Sequence, residues 1–352
     1  MQKALYFMPD ISGFTNFVND TEVEHSIHVI AELLELLLDN SSIDMQLAEI
    51  EGDALFMFST EIPDYSQLLQ QTTTMLEQFH RHTKGYETQR ICNCGSCRSA
   101  INLELKFIIH YGDLAFIKVK KIVKPYGMDV IKIHRLLKNE VPVNEYILFT
   151  DSAYNLYKND TDETWIKKTE PFDLNIMDYF YKNLENIKDS IVLESIDNST
   201  NTIENSIPDL IIEEIFDINI DVLFSYISQL KYRHLWEKGV RRIDYDSDKI
   251  NQVGTEHTCV LNVGSLKFET ITETTSDNLI YGEKTKDLMF AKNYHYFIRF
   301  HKIDENTTKI DINIYFEFTS LGTLVKSRIL KRMSKIWENK LVHLHRISTN
   351  II

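Results

Sequence analysis

Two stretches decide the reading of the first half of the chain. They are Phe7-Met8-Pro9-Asp10-Ile11-Ser12-Gly13-Phe14-Thr15-Asn16-Phe17 and Glu49-Ile50-Glu51-Gly52-Asp53-Ala54-Leu55-Phe56-Met57-Phe58. In each, an aspartate stands where an apolar run meets a glycine turn. If the first run pairs beside the hairpin of the second, Asp10 and Asp53 converge on one point. Two carboxylates with phosphate oxygens form the oxygen donor set that Mg²⁺ or Mn²⁺ prefers. Backbone N–H groups of a glycine turn entering a helix can hold phosphate without any basic side chain.

Outward from these stretches, strand and helix signals alternate. Ile27–Leu38 predicts a buried helix, Ile43–Leu47 and Ala54–Phe58 a hairpin around Gly52, and Tyr65–His82 a second helix. Leu103–His110 and Leu114–Val119 read as a strand pair around Gly112-Asp113. Val130–Leu137 reads as helix, Tyr146–Phe149 as strand, and Asp151 as the cap of a helix over Ala153–Tyr157. The polar run SIDNSTNTIENS at 195–206 is the best linker, dividing the chain into a domain at 1–190, a linker at 191–206 and a domain at 207–352. Beyond it, Ile310, Ile312, Ile314, Phe316 and Phe318 alternate along one strand. A closing helix carries Ile329, Met333, Ile336, Trp337, Leu341 and Leu344 on one face, with Lys331, Arg332 and Lys335 on a solvated outer one.

With 352 residues, 43% of them hydrophobic, the chain can build two ordinary cores. A net charge of −14 argues against broad nucleic-acid binding, which needs basic surface. No apolar run approaches the roughly 18 residues of a bilayer span, and the first ten residues lack a signal-peptide pattern. The expectation is a cytoplasmic protein without a transmembrane segment.

Four blocks in order, FMPDISGFTNF (7–17), EIEGDALFMF (49–58), IIHYGDLAF (108–116) and YGMDVIKIHRLL (126–137), resemble the class III nucleotide cyclase catalytic domain. More narrowly they resemble a bacterial cyclase-homology family with a Cys-rich insert. The resemblance implies an α+β fold whose N-terminal part is a ferredoxin-like, cyclase-type α/β sandwich. It makes Asp10 and Asp53 metal ligands for Mg²⁺ or Mn²⁺, and Gly13, Phe14 and Thr15 the triphosphate loop. Glu49 and Lys124 fall on base-reading positions, and Arg135 on the arginine that stabilises charge in the transition state. Metals and arginine come from opposite protomers in such enzymes, so a homodimer is implied. One departure is Ile131, where the family has a ribose-positioning Asn. A second is Lys124, a lysine where Asp, Thr or Cys is usual.

Cys92, Cys94 and Cys97 can reach one tetrahedral Zn²⁺, with His80 or His82 as the nearest fourth ligand. Reduced, uncoordinated thiols are the competing reading. Cys259 reads as a buried small hydrophobe and His110 as a packing residue.

Residues 207–348, with Val253-Gly254-Thr255-Glu256-His257-Thr258-Cys259 and the last helix, resemble the START-like helix-grip superfamily, which includes polyketide-cyclase-like domains. That implies a curved antiparallel sheet around a long C-terminal helix, with an apolar cavity lined by Phe268, Tyr294, Tyr296, Phe316, Met333 and Trp337. No acid–base pair stands out there. Two functions follow as expectations. One is metal-dependent binding and cyclisation of a nucleoside triphosphate, regulated by a hydrophobic ligand. The other is an inactive cyclase-fold module joined to a hydrophobic-ligand carrier.

Overall fold

A computed structural model describes residues 2–14, 17, 23–89, 91, 98–172, 175–191, 207–246, 251–273 and 279–349. The chain is mixed α+β with two sheets, and divides into two compact units. Unit 1 holds residues 1–86 and 98–194; unit 2 holds 87–97 and 195–352.

Unit 1 runs β1 (Gln2–Ser12), α1 (Val23–Asp39), β2 (Gln46–Glu51), β3 (Ala54–Ser59), α2 (Tyr65–Gln89), β4 (Glu104–Val119), β5 (Ile122–Tyr126), α3 (Met128–Leu136), β6 (Tyr146–Thr150), α4 (Asp151–Leu156), β7 (Ile166–Phe172), β8 (Asn175–Asn183) and α5 (Glu185–Ser190). Its strands lie in the order β2-β3-β1-β4-β6-β8-β7, with β5 folded back on β4. The sequence β1-α1-β2-β3-α2-β4 with spatial order β2-β3-β1-β4 is the ferredoxin-like split βαβ arrangement. Because β1 is central, it is covered on both faces. Ala4, Leu5, Tyr6, Phe7 and Met8 are all fully buried, which explains a continuous apolar run in place of alternation.

The hairpin expected at Glu51-Gly52-Asp53 is present, with Gly52 at φ +63° supplying the turn. The pair expected around Gly112-Asp113 is not. Those residues lie inside one continuous strand, and the reversal comes later, between Val119 and Ile122, where Lys120 takes φ +55°. Gly112 serves a close approach: a Cβ there would meet the Asp129 carboxylate at 2.5 Å. The helix expected after Asp151 is capped one residue earlier, by the Thr150 side chain accepting from the Ala153 N–H. The linker expected at 191–206 falls, from residue 192, outside the described residues.

Unit 2 runs β9 (Leu210–Phe216), α6 (Ile220–Ser228), α7 (Arg233–Trp236), β10 (Val240–Asp244), β11 (Glu256–Leu261), β12 (Ser265–Ile271), β13 (Leu279–Thr285), β14 (Ala291–Lys302), β15 (Thr308–Phe318), α8 (Ser320–Leu324) and α9 (Lys326–Thr349). Its seven strands are all antiparallel, in the order β10-β11-β12-β13-β14-β15-β9. Alternation along β15 is realised, with Ile310, Ile312 and Ile314 fully buried. On α9, Trp337, Leu341 and Leu344 are buried, while Ile336 is 39% exposed and lies off the inward face. No described helix is long and apolar enough to cross a membrane.

Candidate functional site

Register brings the two aspartates together. Asp10 on β1 sits opposite Ala54 on β3, and the Ile11 N–H donates to the Asp53 carbonyl at 3.1 Å. Asp10 is only 7% exposed, and burial raises its pKa although Lys106 opposes the shift. Burial and then the Asp10 charge push Asp53 up to about 6. On its other side Asp10 is directly opposite Lys106 of β4, whose Nζ lies 2.9 Å from Asp10 Oδ2. The same ammonium donates to the Leu137 carbonyl at the end of α3, at 2.9 Å, where the helix dipole favours a cation.

Lys106 was missed in the sequence, although a lysine between Leu105 and Phe107, both fully buried, signals a charge in need of a partner. The donor set suits Mg²⁺ or Mn²⁺, since it is oxygen only and Mg²⁺ is often held by two carboxylates plus substrate phosphates. Among the described residues no cluster of three or more His, Cys, Asp or Glu could hold a metal by itself.

Gly13 follows β1 with φ +86°, and the Phe17 N–H donates to its carbonyl at 3.0 Å, so a helical turn starts close to Asp10. Phe14 is half-buried in that turn; Thr15 lies outside the described residues. Glu49 on β2 and Lys124 on β5 form an ion pair with each other. Both are more than a third exposed, so the pair is weak and a competing ligand can open it. On α3, Ile131 and Arg135 stand one turn apart and are exposed. The adjacent His134 Nδ1 lies 2.9 Å from Glu51 beside the Gly52 turn.

His110 is 1% exposed. Its Nδ1 lies 2.8 Å from Thr150 Oγ1, and its Nε2 lies 3.0 Å from Asp129. Burial lowers its pKa to about 4, so it is neutral at pH 7 and acts as a packing and hydrogen-bonding residue. Asp129 also accepts from the Asp113 N–H at 2.7 Å, which ties α3 to β4. Cys92, Cys94 and Cys97 lie outside the described residues. Of their candidate partners, His80 is fully buried with Nε2 at 2.5 Å from Glu145, and His82 Nε2 is 3.4 Å from Glu32.

Unit 2 carries a buried charged network that the sequence reading did not single out. Arg233, 1% exposed, forms an ion pair with Glu283, 2% exposed, and a second with Glu237 at 3.2 Å. The Tyr281 and Tyr296 hydroxyls both donate to Glu283, the latter at 2.6 Å. Arg233 comes from α7, Tyr281 and Glu283 from β13 and Tyr296 from β14, so only the Arg233–Glu237 pair, four residues apart, has a local spacing. Around this cluster, Tyr294, Tyr296 and Trp337 are buried, and Phe316 and Met333 are half-buried. The Tyr296 and Trp337 rings are 4.9 Å apart, and Phe268 stacks on the buried His257 at 5.7 Å.

A family model described as "Protein of unknown function (DUF2652)" matches residues 30–146. A Mycobacterium tuberculosis protein, "Uncharacterized protein Rv2561/Rv2562", is 38% identical over 122 residues, which is 35% of this chain. The chain spans 57% of the length of that curated relative. Among solved structures, the guanylate cyclase domain of RhGC from Catenaria anguillulae in complex with GTP is 13% identical, with a TM-score of 0.38. It covers 51% of this chain and 95% of its own. The adenylyl cyclase CyaB from P. aeruginosa is 15% identical, covers 52% of this chain and 94% of its own, with a TM-score of 0.36.

Two outcomes follow. Asp53 has a folded pKa of about 6, above its ordinary 3.8, so folding favours its protonated form. Its penalty is relieved as pH falls through 6 and is full at pH 7.5. Asp53→Asn is therefore expected to raise the melting temperature at pH 7.5, by an amount that shrinks towards pH 4. An equal shift at both pH values would contradict this. Arg233→Met leaves Glu283 buried without its cation and is expected to cost about 3–5 kcal/mol. Denaturation followed by the fluorescence of Trp236 and Trp337 reads it, and adding Glu283→Gln should recover part of the loss.

Proposed function

We propose that unit 1 binds a nucleoside triphosphate together with Mg²⁺ or Mn²⁺ at Asp10 and Asp53. The adjacency of these two carboxylates at the end of β1 and the start of β3, both with raised pKa, carries the reading. Nearby carboxylates that repel one another gain most from a divalent cation or a proton. Such a cation would neutralise phosphate charge and lower the pKa of an attacking ribose hydroxyl. Gly13 and Phe14 open the turn that would receive the triphosphate. With Asp10 serving as a metal ligand, Lys106 would be free to pair with a phosphate oxygen. The purine would open the Glu49–Lys124 pair.

Cyclisation is the second reading, favoured by the exposed Arg135. It requires a second protomer to present that arginine. The β4–β5 hairpin supports such a homodimer: Phe116, Val119, Ile122, Val123 and Tyr126 are 50–62% exposed, a large apolar strip for a solvated hairpin. Ile131 opposes efficient turnover, since an aliphatic side chain cannot orient a ribose hydroxyl and misplacement can cost about a hundredfold. Unit 2 would hold an apolar ligand among Tyr294, Phe316 and Met333, and a zinc on the cysteine cluster would be structural.

Thermal shift with each triphosphate and Mn²⁺, on wild type and Asp10→Asn/Asp53→Asn, tests the binding reading. A metal-dependent rise present only in wild type is expected, and no rise with any nucleotide would overturn it. The same samples, assayed for cyclic nucleotide and pyrophosphate, separate the two readings, and Ile131→Asn should raise any turnover. In ultracentrifugation, a dimer weakened by Ile122→Glu is expected, and a wild-type monomer at all concentrations would remove the homodimer.

A further inference from the structure

Unit 2 has a surface that the nucleotide reading does not use. At one end of its sheet Val263 is 91% exposed, Met289 96%, Leu321 76% and Leu324 81%. Register places them together. Val260 pairs with Ser265 across the turn holding Val263, Thr285 with Tyr294 across the loop holding Met289, and Ala291 with Phe318 just before α8. Thr319 N–H and Oγ1 both donate to the Phe290 carbonyl, at 3.1 and 3.2 Å, joining that loop to α8. Gly322 sits so close that a Cβ would come within 2.0 Å of the same carbonyl. This holds α8 against the loop and leaves Leu321 and Leu324 in water. Single exposed aliphatics are ordinary; four on three adjoining segments of one rim are not.

The start of α9 adds charge. Lys326, Arg328, Lys331, Arg332 and Lys335 follow one another with no acidic residue between 318 and 337, in a chain of net charge −14. With Trp337 and Leu341 buried, helical spacing puts Arg328, Arg332 and Lys335 on the opposite, exposed face. Lys326 pairs with Asp209. The acids of the rim are engaged locally: Asp287 accepts from the Lys267 N–H at 2.7 Å, and Glu317 lies 3.4 Å from Lys292.

We propose that this end of unit 2 docks on an anionic lipid surface. The four aliphatic side chains enter the headgroup region while Arg328, Lys331, Arg332 and Lys335 meet lipid phosphates. A nucleic acid or an acidic protein surface would use the same charges but leave the aliphatic rim in water. Combined apolar and basic recognition belongs to a membrane interface.

Sedimentation of the full chain with phosphatidylcholine vesicles, alone or carrying about a third phosphatidylserine, tests the proposal. Binding to the anionic vesicles at low salt, falling steeply as salt screens the charges, is expected. Leu321→Asp/Leu324→Asp and Arg328→Glu/Arg332→Glu alter exposed positions, so the fold is retained. Each should weaken partitioning by about tenfold or more. Absence of wild-type binding to anionic vesicles, or undiminished binding of the Leu321→Asp/Leu324→Asp variant, overturns the proposal. Equal binding to neutral vesicles removes the role of the basic residues. Self-association without vesicle binding, lost in the same leucine variant, assigns the rim to a second copy of the chain.

Discussion

The Asp10–Lys106 ion pair joins the central strands β1 and β4 of unit 1, with the fully buried pair Met8 and Ile108 next along the same face. A carboxylate taken this far out of water costs several kcal/mol unless it is paired, hydrogen-bonded or neutralised. Lys106 offsets that cost and also donates to the last turn of α3 through Leu137. One lysine thus connects the carboxylate expected to hold a metal with the helix carrying Ile131 and Arg135.

Other buried charges in unit 1 obey the same constraint. Glu49 and Lys124, both more than a third exposed, escape it and pair only weakly. His110 stays neutral because burial outweighs the pull of Asp129. His80 is closed off against Glu145, which also accepts the Leu105 N–H at 3.2 Å and so steadies the strand bearing Lys106. In unit 2, Arg233, Glu283 and two tyrosines repeat the pattern around a different core.

The sequence made the first half of the fold legible because its signals are local. The Gly13 and Gly52 turns, the apolar β1 and β3, and the aspartates beside them can each be read within a dozen residues. What escaped was long-range. Gly112 has the same neighbours as a turn glycine, yet it is small only because Asp129, 17 residues later, packs on it. Lys106 becomes part of the site only through its register with Asp10, 96 residues away. Arg233 meets Glu283 only after the antiparallel sheet of unit 2 has folded. The exposed rim was equally invisible, since Val263, Met289, Leu321 and Leu324 look like ordinary core residues until the strand ends are aligned.

The central proposal is that Asp10 and Asp53 form a metal–nucleotide site whose carboxyl pKa values burial holds above the usual range. Calorimetry at pH 6 measures it most directly, by titrating preformed Mn²⁺–triphosphate into the full chain in buffers of different ionisation enthalpy. With Asp53 at a pKa of about 6, release of about half a proton or more per site is predicted, fading at pH 8. Binding without proton release at pH 6, or no binding heat at either pH, would contradict the account.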